Sequence, residues 1–220
     1  MSPFNVIDLT HRLLPGEEQY TVDIKQRGQP RQSPTGDIMH DVHFWSHSGT
    51  HVEVSLHFYA GGKDVSDFPA EAFVGPAIRL DFRHKEINEP ISIEDLKHAG
   101  DIQESDIVIL WEGRDNLYRT KHSHDRPYVT AEAAEWLALE KKIKLLGTDS
   151  SGFEVRGVTT HPNHHLFFKD GVDIPVVECL TNLDKIPDQR FFFMGMPIPV
   201  KGLDSSPIRA VALELDGLQV

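Results

Sequence analysis

Asp106-Ile107-Val108-Ile109-Leu110-Trp111 is a continuous apolar run of strand length. A run without polar alternation is what a strand covered on both faces requires. Ahead of it, Ser92-Ile93-Glu94-Asp95-Leu96 is a capping-box start for a short helix that stops at Gly100. A second such unit follows. Thr130 caps a helix over Ala131 to Lys142, with Ala134, Leu137, Ala138 and Lys141 on one stripe, and Ile143 to Gly147 is again a short apolar strand. This alternation predicts an α/β core with parallel pairing near its centre. Functional side chains of such cores gather just beyond the carboxyl ends of the strands, the places held here by Trp111-Glu112-Gly113-Arg114 and Thr148-Asp149-Ser150-Ser151.

Outward from that core, strands are expected at Ala77 to Phe82, Phe191 to Val200 and Ile208 to Leu215, the last with alternating character. Residues 15 to 37 hold Pro15, Gly16, Gly28, Pro30, Pro34 and Gly36 and read as irregular connection with one short strand near Tyr20 to Ile24. A connection that long usually serves as a lid or an interface. The 220 residues fit one domain, 1–220, able to bury a core without staples. A net charge of -12 with no offsetting Lys/Arg run repels phosphate backbones, so neither nucleic acid nor anionic membrane surfaces are expected partners. The amino terminus lacks a basic segment followed by an apolar run, and nowhere do 18 apolar residues follow one another, which predicts a cytoplasmic protein. A single cysteine excludes a disulfide framework and a thiolate-rich zinc site, leaving nitrogen and oxygen to hold any metal. Neither G-x-G-x-x-G nor G-x-x-x-x-G-K occurs.

The chemistry-bearing stretch is His47-Ser48-Gly49-Thr50-His51-Val52-Glu53-Val54-Ser55-Leu56-His57-Phe58, within a strand expected from about Met39 to Phe58. As a strand it places His47, His51, Glu53 and His57 on one face and Thr50, Val52, Val54, Leu56 and Phe58 on the other. Three imidazoles and a carboxylate in phase point to a metal or acid/base site, against the alternative of ordinary exposed strand histidines. A second candidate is His161-Pro162-Asn163-His164-His165, where a short helix through His164 to Asp170 ends at Gly171 and feeds a strand that delivers Glu178. Glu178 lies among Val176, Val177, Cys179 and Leu180, and a buried carboxylate needs a partner, either a metal or a basic side chain. Cys179 reads as a small buried hydrophobe rather than a nucleophile. Ser150 and Ser151 do not fit G-x-S-x-G, and His122-Ser123-His124-Asp125 reads as a solvated loop. Phe44 and Trp45 are either core or the lining of a pocket for an aromatic substrate.

At these residues the chain resembles the cyclase-like metal-dependent hydrolases, the family that includes bacterial kynurenine formamidase and isatin hydrolase. The family motif H-x-G-T-H-x-D-x-P-x-H stands here as His47-x-Gly49-Thr50-His51-x-Glu53-x-Ser55-x-His57. Ile7-Asp8-Leu9-Thr10-His11 resembles the family's opening strand, and Tyr128-Val129-Thr130 through Gly147-Thr148-Asp149 its central helix-strand segment. His164-His165-Leu166-Phe167-Phe168-x-x-Gly171 and Glu178-Cys179-Leu180-Thr181-Asn182-Leu183 resemble its H-x-x-L-L-x-x-G and E-x-L-x-N-L elements. Three departures stand out: Glu53 replaces Asp and is one methylene longer, Ser55 replaces Pro, and two extra residues separate Gly171 from Glu178.

The resemblance implies a swivelling β/α/β-type domain with a mixed central sheet, assembled as a homodimer or homotetramer. It also implies one or two divalent ions per chain, zinc or manganese. His47, His51, Glu53, His164 and Glu178 would be the metal ligands and His57 the acid/base residue. The expected activity is hydrolysis of a small-molecule amide, imide or formamide by metal-activated water. The alternatives are a lactone or dienelactone hydrolase, and a catalytically inactive family member that binds a small ligand.

Overall fold

The computed structural model describes residues 4–26 and 38–215. Its strands are β1 (Phe4–Asp8), β2 (Val22–Gln26), β3 (His40–Phe44), β4 (His51–Glu53), β5 (Val74–Asp81), β6 (Pro90–Ile91), β7 (Ile107–Trp111), β8 (Tyr128–Val129), β9 (Leu145–Thr148), β10 (Val176–Glu178), β11 (Arg190–Met194), β12 (Ser205–Pro207) and β13 (Val211–Leu215). The helices are α1 (Ile93–Ala99), α2 (Ala131–Glu135) and α3 (Pro162–Phe167). Nine strands form one mixed sheet in the order β1-β13-β11-β5-β7-β9-β10-β4-β12. Its centre is parallel, β5 to β7 to β9 to β10, and antiparallel strands complete it on both sides. This is the mixed α/β architecture expected from the helix-strand alternation.

The central strand shows why its sequence lacks alternation. Val108 and Leu110 join the core beneath the helices, with Leu96, Ala134 and Leu137. Ile107 and Ile109 join a second core on the opposite face, with Leu145, Val177 and Phe193. All four residues of that run are fully buried, so truncating any of them to alanine would cost about 2–5 kcal/mol.

Several elements depart from the sequence reading. The strand expected from Met39 to Phe58 is interrupted: β3 pairs only with β2 in a separate two-stranded ribbon, and a turn then leads to the three-residue β4. Gly49 makes that turn at φ 71°, pressed so closely on Leu13 that a Cβ would meet its Cδ2 at 2.5 Å. After Glu53 the chain leaves the sheet in a single 3-10 turn, Ser55–His57. The second helix passes at Trp136 into a π-helical turn, Trp136–Glu140, sealed by Lys141 N–H donating to the Trp136 carbonyl at 2.9 Å. The third begins two residues earlier than expected, because Pro162 presets the helical φ of the first turn. Strand β11 ends at Met194, ahead of Pro197 and Pro199, which lack ladder donors. Part of the connection read as a lid or interface, residues 27–37, lies outside the described residues. No helix among the described residues is long and apolar enough to cross a membrane.

Candidate metal centre

Strand β4 lies between β10 and β12, and this pairing builds the site. His51 stands opposite Glu178 in the β10 register, and Glu53, two residues on, shares its face. Val52 points the other way into the core. His47 and His57 flank β4 and reach the same space by turns rather than by strand parity. The fourth imidazole comes from α3, which places His164 over the two carboxylates.

The donor atoms converge. His47 Nδ1 lies 2.8 Å from Glu53 Oε1 and 3.2 Å from His51 Nε2, and His51 Nε2 lies 3.4 Å from the same oxygen. His164 Nε2 lies 3.4 Å from the other Glu53 oxygen, Oε2, and 3.6 Å from Glu178 Oε1. Around a tetrahedral ion with donors ~2.1 Å away, neighbouring donors sit roughly 3.4 Å apart, which is the spacing seen here. Glu53 Oε2 is buried without a hydrogen-bond partner, an orphaned acceptor that a cation satisfies. The donors are imidazole nitrogens and carboxylate oxygens, a set that fits a divalent ion.

The surrounding groups fix these side chains. His51 Nδ1 donates to the Gly49 carbonyl at 2.8 Å, which leaves Nε2 as its free donor atom. Asp204, delivered beside Glu53 by the pairing of β12 with β4, receives His47 Nε2 at 3.0 Å and His57 Nδ1 at 2.8 Å on one oxygen, Oδ2. Its other oxygen accepts from Ser46 Oγ at 3.0 Å. Glu154, almost fully buried, accepts from the backbone N–H groups of Asn163 and His164 at 2.6 and 3.1 Å, capping α3. Its Oε2 lies 3.4 Å from His164 Nδ1 and 2.8 Å from His161 Nδ1.

The electrostatics follow from this crowding. Burial disfavours charge on His47, but hydrogen bonds to Asp204 and Glu53 outweigh it and raise the imidazole to about 10. Burial likewise opposes charge on His164, and Glu154, Glu178 and Glu53 raise it well above its ordinary value. Glu53 is held well below the usual carboxylate range, because the surrounding imidazoles of His164, His47 and His51 overcome its desolvation. Hydrogen bonds from His47 and His57 depress Asp204 as well. Without an ion, protonated imidazoles compensate the buried carboxylates.

The cluster opens into a cavity of about 600 Å³, bounded on one side by Tyr20, Phe44 and Trp45. Tyr20 and Trp45 stack at 5.5 Å, so the Phe44-Trp45 pair lines a pocket rather than filling core. The loop read as solvated contributes as well: His124 is exposed, yet it lines the cavity and its Nδ1 lies 2.9 Å from Ser151 Oγ. Cys179 is buried, and burial followed by the Glu178 charge pushes its thiol well up, away from the reactive thiolate. The structure places all six candidate residues in one cluster, and beside them Asp204 and Glu154, which the sequence reading did not single out.

The Cyclase family model matches residues 7–155, well over half of the sequence. The chain belongs to the Cyclase family. Among its relatives is a kynurenine formamidase of Erythrobacter litoralis, 29% identical over 170 residues that span 77% of this chain and 74% of the relative. A kynurenine formamidase of Bacillus cereus is 29% identical over 173 residues, 75% of each protein. Among solved structures, a predicted metal-dependent hydrolase from Bacillus stearothermophilus superposes with a TM-score of 0.77 at 26% identity, covering 96% of this chain and 98% of that one. Isatin hydrolase A from Labrenzia aggregata, solved with benzyl benzoate, shares the cyclase fold with a TM-score of 0.81 at 24% identity, covering 97% and 94%.

Proposed function

We propose that this cyclase-family chain is a metal-dependent hydrolase of small aryl amides, formamides or cyclic amides. The observation that carries the reading is the convergence of His47, His51, Glu53, His164 and Glu178, the first three and Glu178 lining an aromatic-walled cavity. The kynurenine formamidase relatives support the carbon-nitrogen bond as the target. Glu53 directs its two oxygens at different donor groups, Oε1 toward His47 and His51 and Oε2 toward His164, so it would hold one or two divalent ions together with these residues. Its extra methylene relative to the family's Asp is accommodated, which speaks against a lineage that has lost its metal. Zinc or manganese suits the donor set.

When bound, a divalent ion there lowers the pKa of water and polarises a substrate carbonyl. The residues supply the rest. His57 is the acid/base group: Asp204 accepts from its Nδ1, which leaves Nε2 facing the cluster, 4.0 Å from Glu53 Oε1. In that tautomer Nε2 takes a proton from the attacking water and returns it to the departing nitrogen. Asp204 stabilises the imidazolium formed between these two transfers. Tyr20, Phe44 and Trp45 hold a flat aromatic substrate over the cluster.

His57→Ala is expected to keep its metal, measured by elemental analysis, while turnover of an aryl formamide falls by roughly a hundred- to ten-thousand-fold. Full activity in that variant would remove His57 from the role. Absence of turnover on aryl formamides and isatin-like cyclic amides by the metal-loaded wild type would defeat the hydrolase reading.

A further inference from the structure

Beyond the cluster lies a second chamber of about 420 Å³, which shares Glu53, His57, Glu178, His124 and Ser151 with the aromatic one. Its wall carries Arg126, Arg156 and His161. Two of these are committed: Arg156 pairs with Asp125, and His161 Nδ1 lies against Glu154. Arg126 is not. Its Nη1 donates one long hydrogen bond, 3.3 Å, to the His124 carbonyl, and its Nε is buried without a partner. Among the described residues Arg83, Arg119, Arg156, Arg190 and Arg209 each pair with a carboxylate, whereas none lies within ion-pair distance of Arg126.

The guanidinium is seated rather than adrift. Gly152, at φ 111°, lies so close beneath it that a Cβ would come 2.8 Å from Nη2 and 3.0 Å from Cζ. Any other residue at 152 would displace the group and strain the backbone. The charge acts inward too: after burial, Arg126 is the largest influence that lowers the His124 imidazole. A fixed planar cation with open donors, in the wall of a chamber, is a receptor for a carboxylate, which it can bind through two parallel hydrogen bonds.

The geometry points to Arg126 as the carboxylate-binding residue for the acyl half of the substrate. This inference rests on the hydrolase reading above. The two chambers meet at the donor cluster, so an amide cleaved there places its halves in different chambers. The larger, aromatic chamber takes the aryl amine, and the acyl half extends toward Arg126. The substrate class is therefore the N-aryl amide of a short dicarboxylic acid. In its hydrolysis the C–N bond breaks and a C–O bond forms from water. One water proton goes to the amine nitrogen, and the second ionises from the new carboxyl group to solvent.

The test uses oxanilate, malonanilate and succinanilate, each beside its neutral terminal carboxamide, with formanilide as the plain amide. For the metal-loaded wild type, the kcat/KM of the best-fitting acid is expected to exceed that of its carboxamide by about ten- to a hundred-fold. Arg126→Met is expected to bring this ratio near one and Arg126→Lys to restore part of it. Because the ratio is taken within each variant, it cancels any general loss of stability or catalysis. A wild type that hydrolyses formanilide without preferring any acid, or a preference that survives in Arg126→Met, overturns the assignment. Should the wild type cleave no anilide at all, the hydrolase reading falls. Equilibrium binding of the same pairs to the metal-loaded proteins then decides the subsite, and equal affinities in wild type and Arg126→Met overturn it.

Discussion

Two groups of buried carboxylates lie close together in this fold and behave in opposite ways. Glu53 and Glu154 sit among imidazoles and are held below the usual carboxylate range. Glu112 and Asp149, just past the carboxyl ends of β7 and β9, have no imidazole beside them, and both are shifted upward. Burial drives the upward shift in each, with the Asp149 charge adding to it at Glu112 and the Asp115 charge at Asp149. Carboxylates that stay ionised in a dry setting can hold a cation; carboxyl groups that hold on to a proton cannot do so as well. The difference separates two strand-end positions of one sheet: the ends of β7 and β9, and the candidate metal centre, where Glu178 ends β10 opposite His51 of β4.

The largest test of this contrast is Glu53→Gln, which keeps the shape of the side chain and removes its charge. Metal content per chain is expected to fall, and aryl formamide turnover by on the order of a thousand-fold, the several kcal/mol that metal assistance supplies. Elemental analysis beside steady-state kinetics checks both. Unchanged metal content would mean that the ionised cluster is not a cation site, and the contrast with Glu112 and Asp149 would lose its functional meaning.

A smaller effect is expected from Glu154→Gln. The amide oxygen can still accept from Asn163 N–H and His164 N–H, so the cap of α3 survives, while the negative charge facing His164 Nδ1 is lost. Carboxylate partners of ligating histidines are worth about ten- to a hundred-fold in metal affinity. A competition titration against a chelator measures it, and Glu154→Asp, which retains the charge, should recover part of the loss. Equal affinity in all three proteins would reduce Glu154 to a helix cap.

The sequence carries these two regions unequally. The apolar run 107–110 and the capped helices showed the parallel centre directly, because burial on both faces leaves a periodicity that can be read locally. The residues His47, His51, Glu53 and His57 were found by strand parity with a bend or bulge expected at Gly49, and only His51 and Glu53 lie in a strand. His47 and His57 reach the cluster because Gly49 turns the chain before β4 and a 3-10 turn bends it afterwards, geometry that strand parity does not contain. Asp204 was invisible for another reason. It touches His47 and His57 only because β12 pairs with β4 across some 150 residues of sequence, and the segment Lys201-Gly202-Leu203-Asp204 has no periodicity to announce that pairing. Glu154, ten residues before His164, was no more visible: it lies well ahead of the N-cap position His161 and reaches the first-turn N–H groups only through the fold. Arg126 is known only by what fails to pair with it, and such a lack appears only once the surrounding side chains are placed.

The smallest expected effect belongs to the strand-end pair and concerns stability rather than turnover. Asp149 accepts from the backbone N–H groups of Glu112 and Arg114, at 2.9 and 3.1 Å, so of the two it is Glu112 that keeps a proton. Ser150 Oγ contacts Glu112 Oε2, while Oε1 is buried without a partner. Below about pH 4.3 Glu112 is protonated whether the chain is folded or not. Above that, the unfolded chain ionises while the folded one keeps its proton, and stability falls by ~1.4 kcal/mol per pH unit until the folded group ionises too. Glu112→Gln has no proton to lose. Compared as metal-stripped proteins in urea, wild type and variant should differ little near the ordinary Glu pKa, and the variant should gain on the wild type as pH rises to 8, by up to ~4 kcal/mol at that slope. Turnover of the metal-loaded variant should stay within about five-fold, since its effect on the barrier is then below ~1 kcal/mol. Parallel stability profiles would place Glu112 among ionised carboxylates, and a loss of turnover as large as that of Glu53→Gln would carry the catalytic machinery to the ends of β7 and β9.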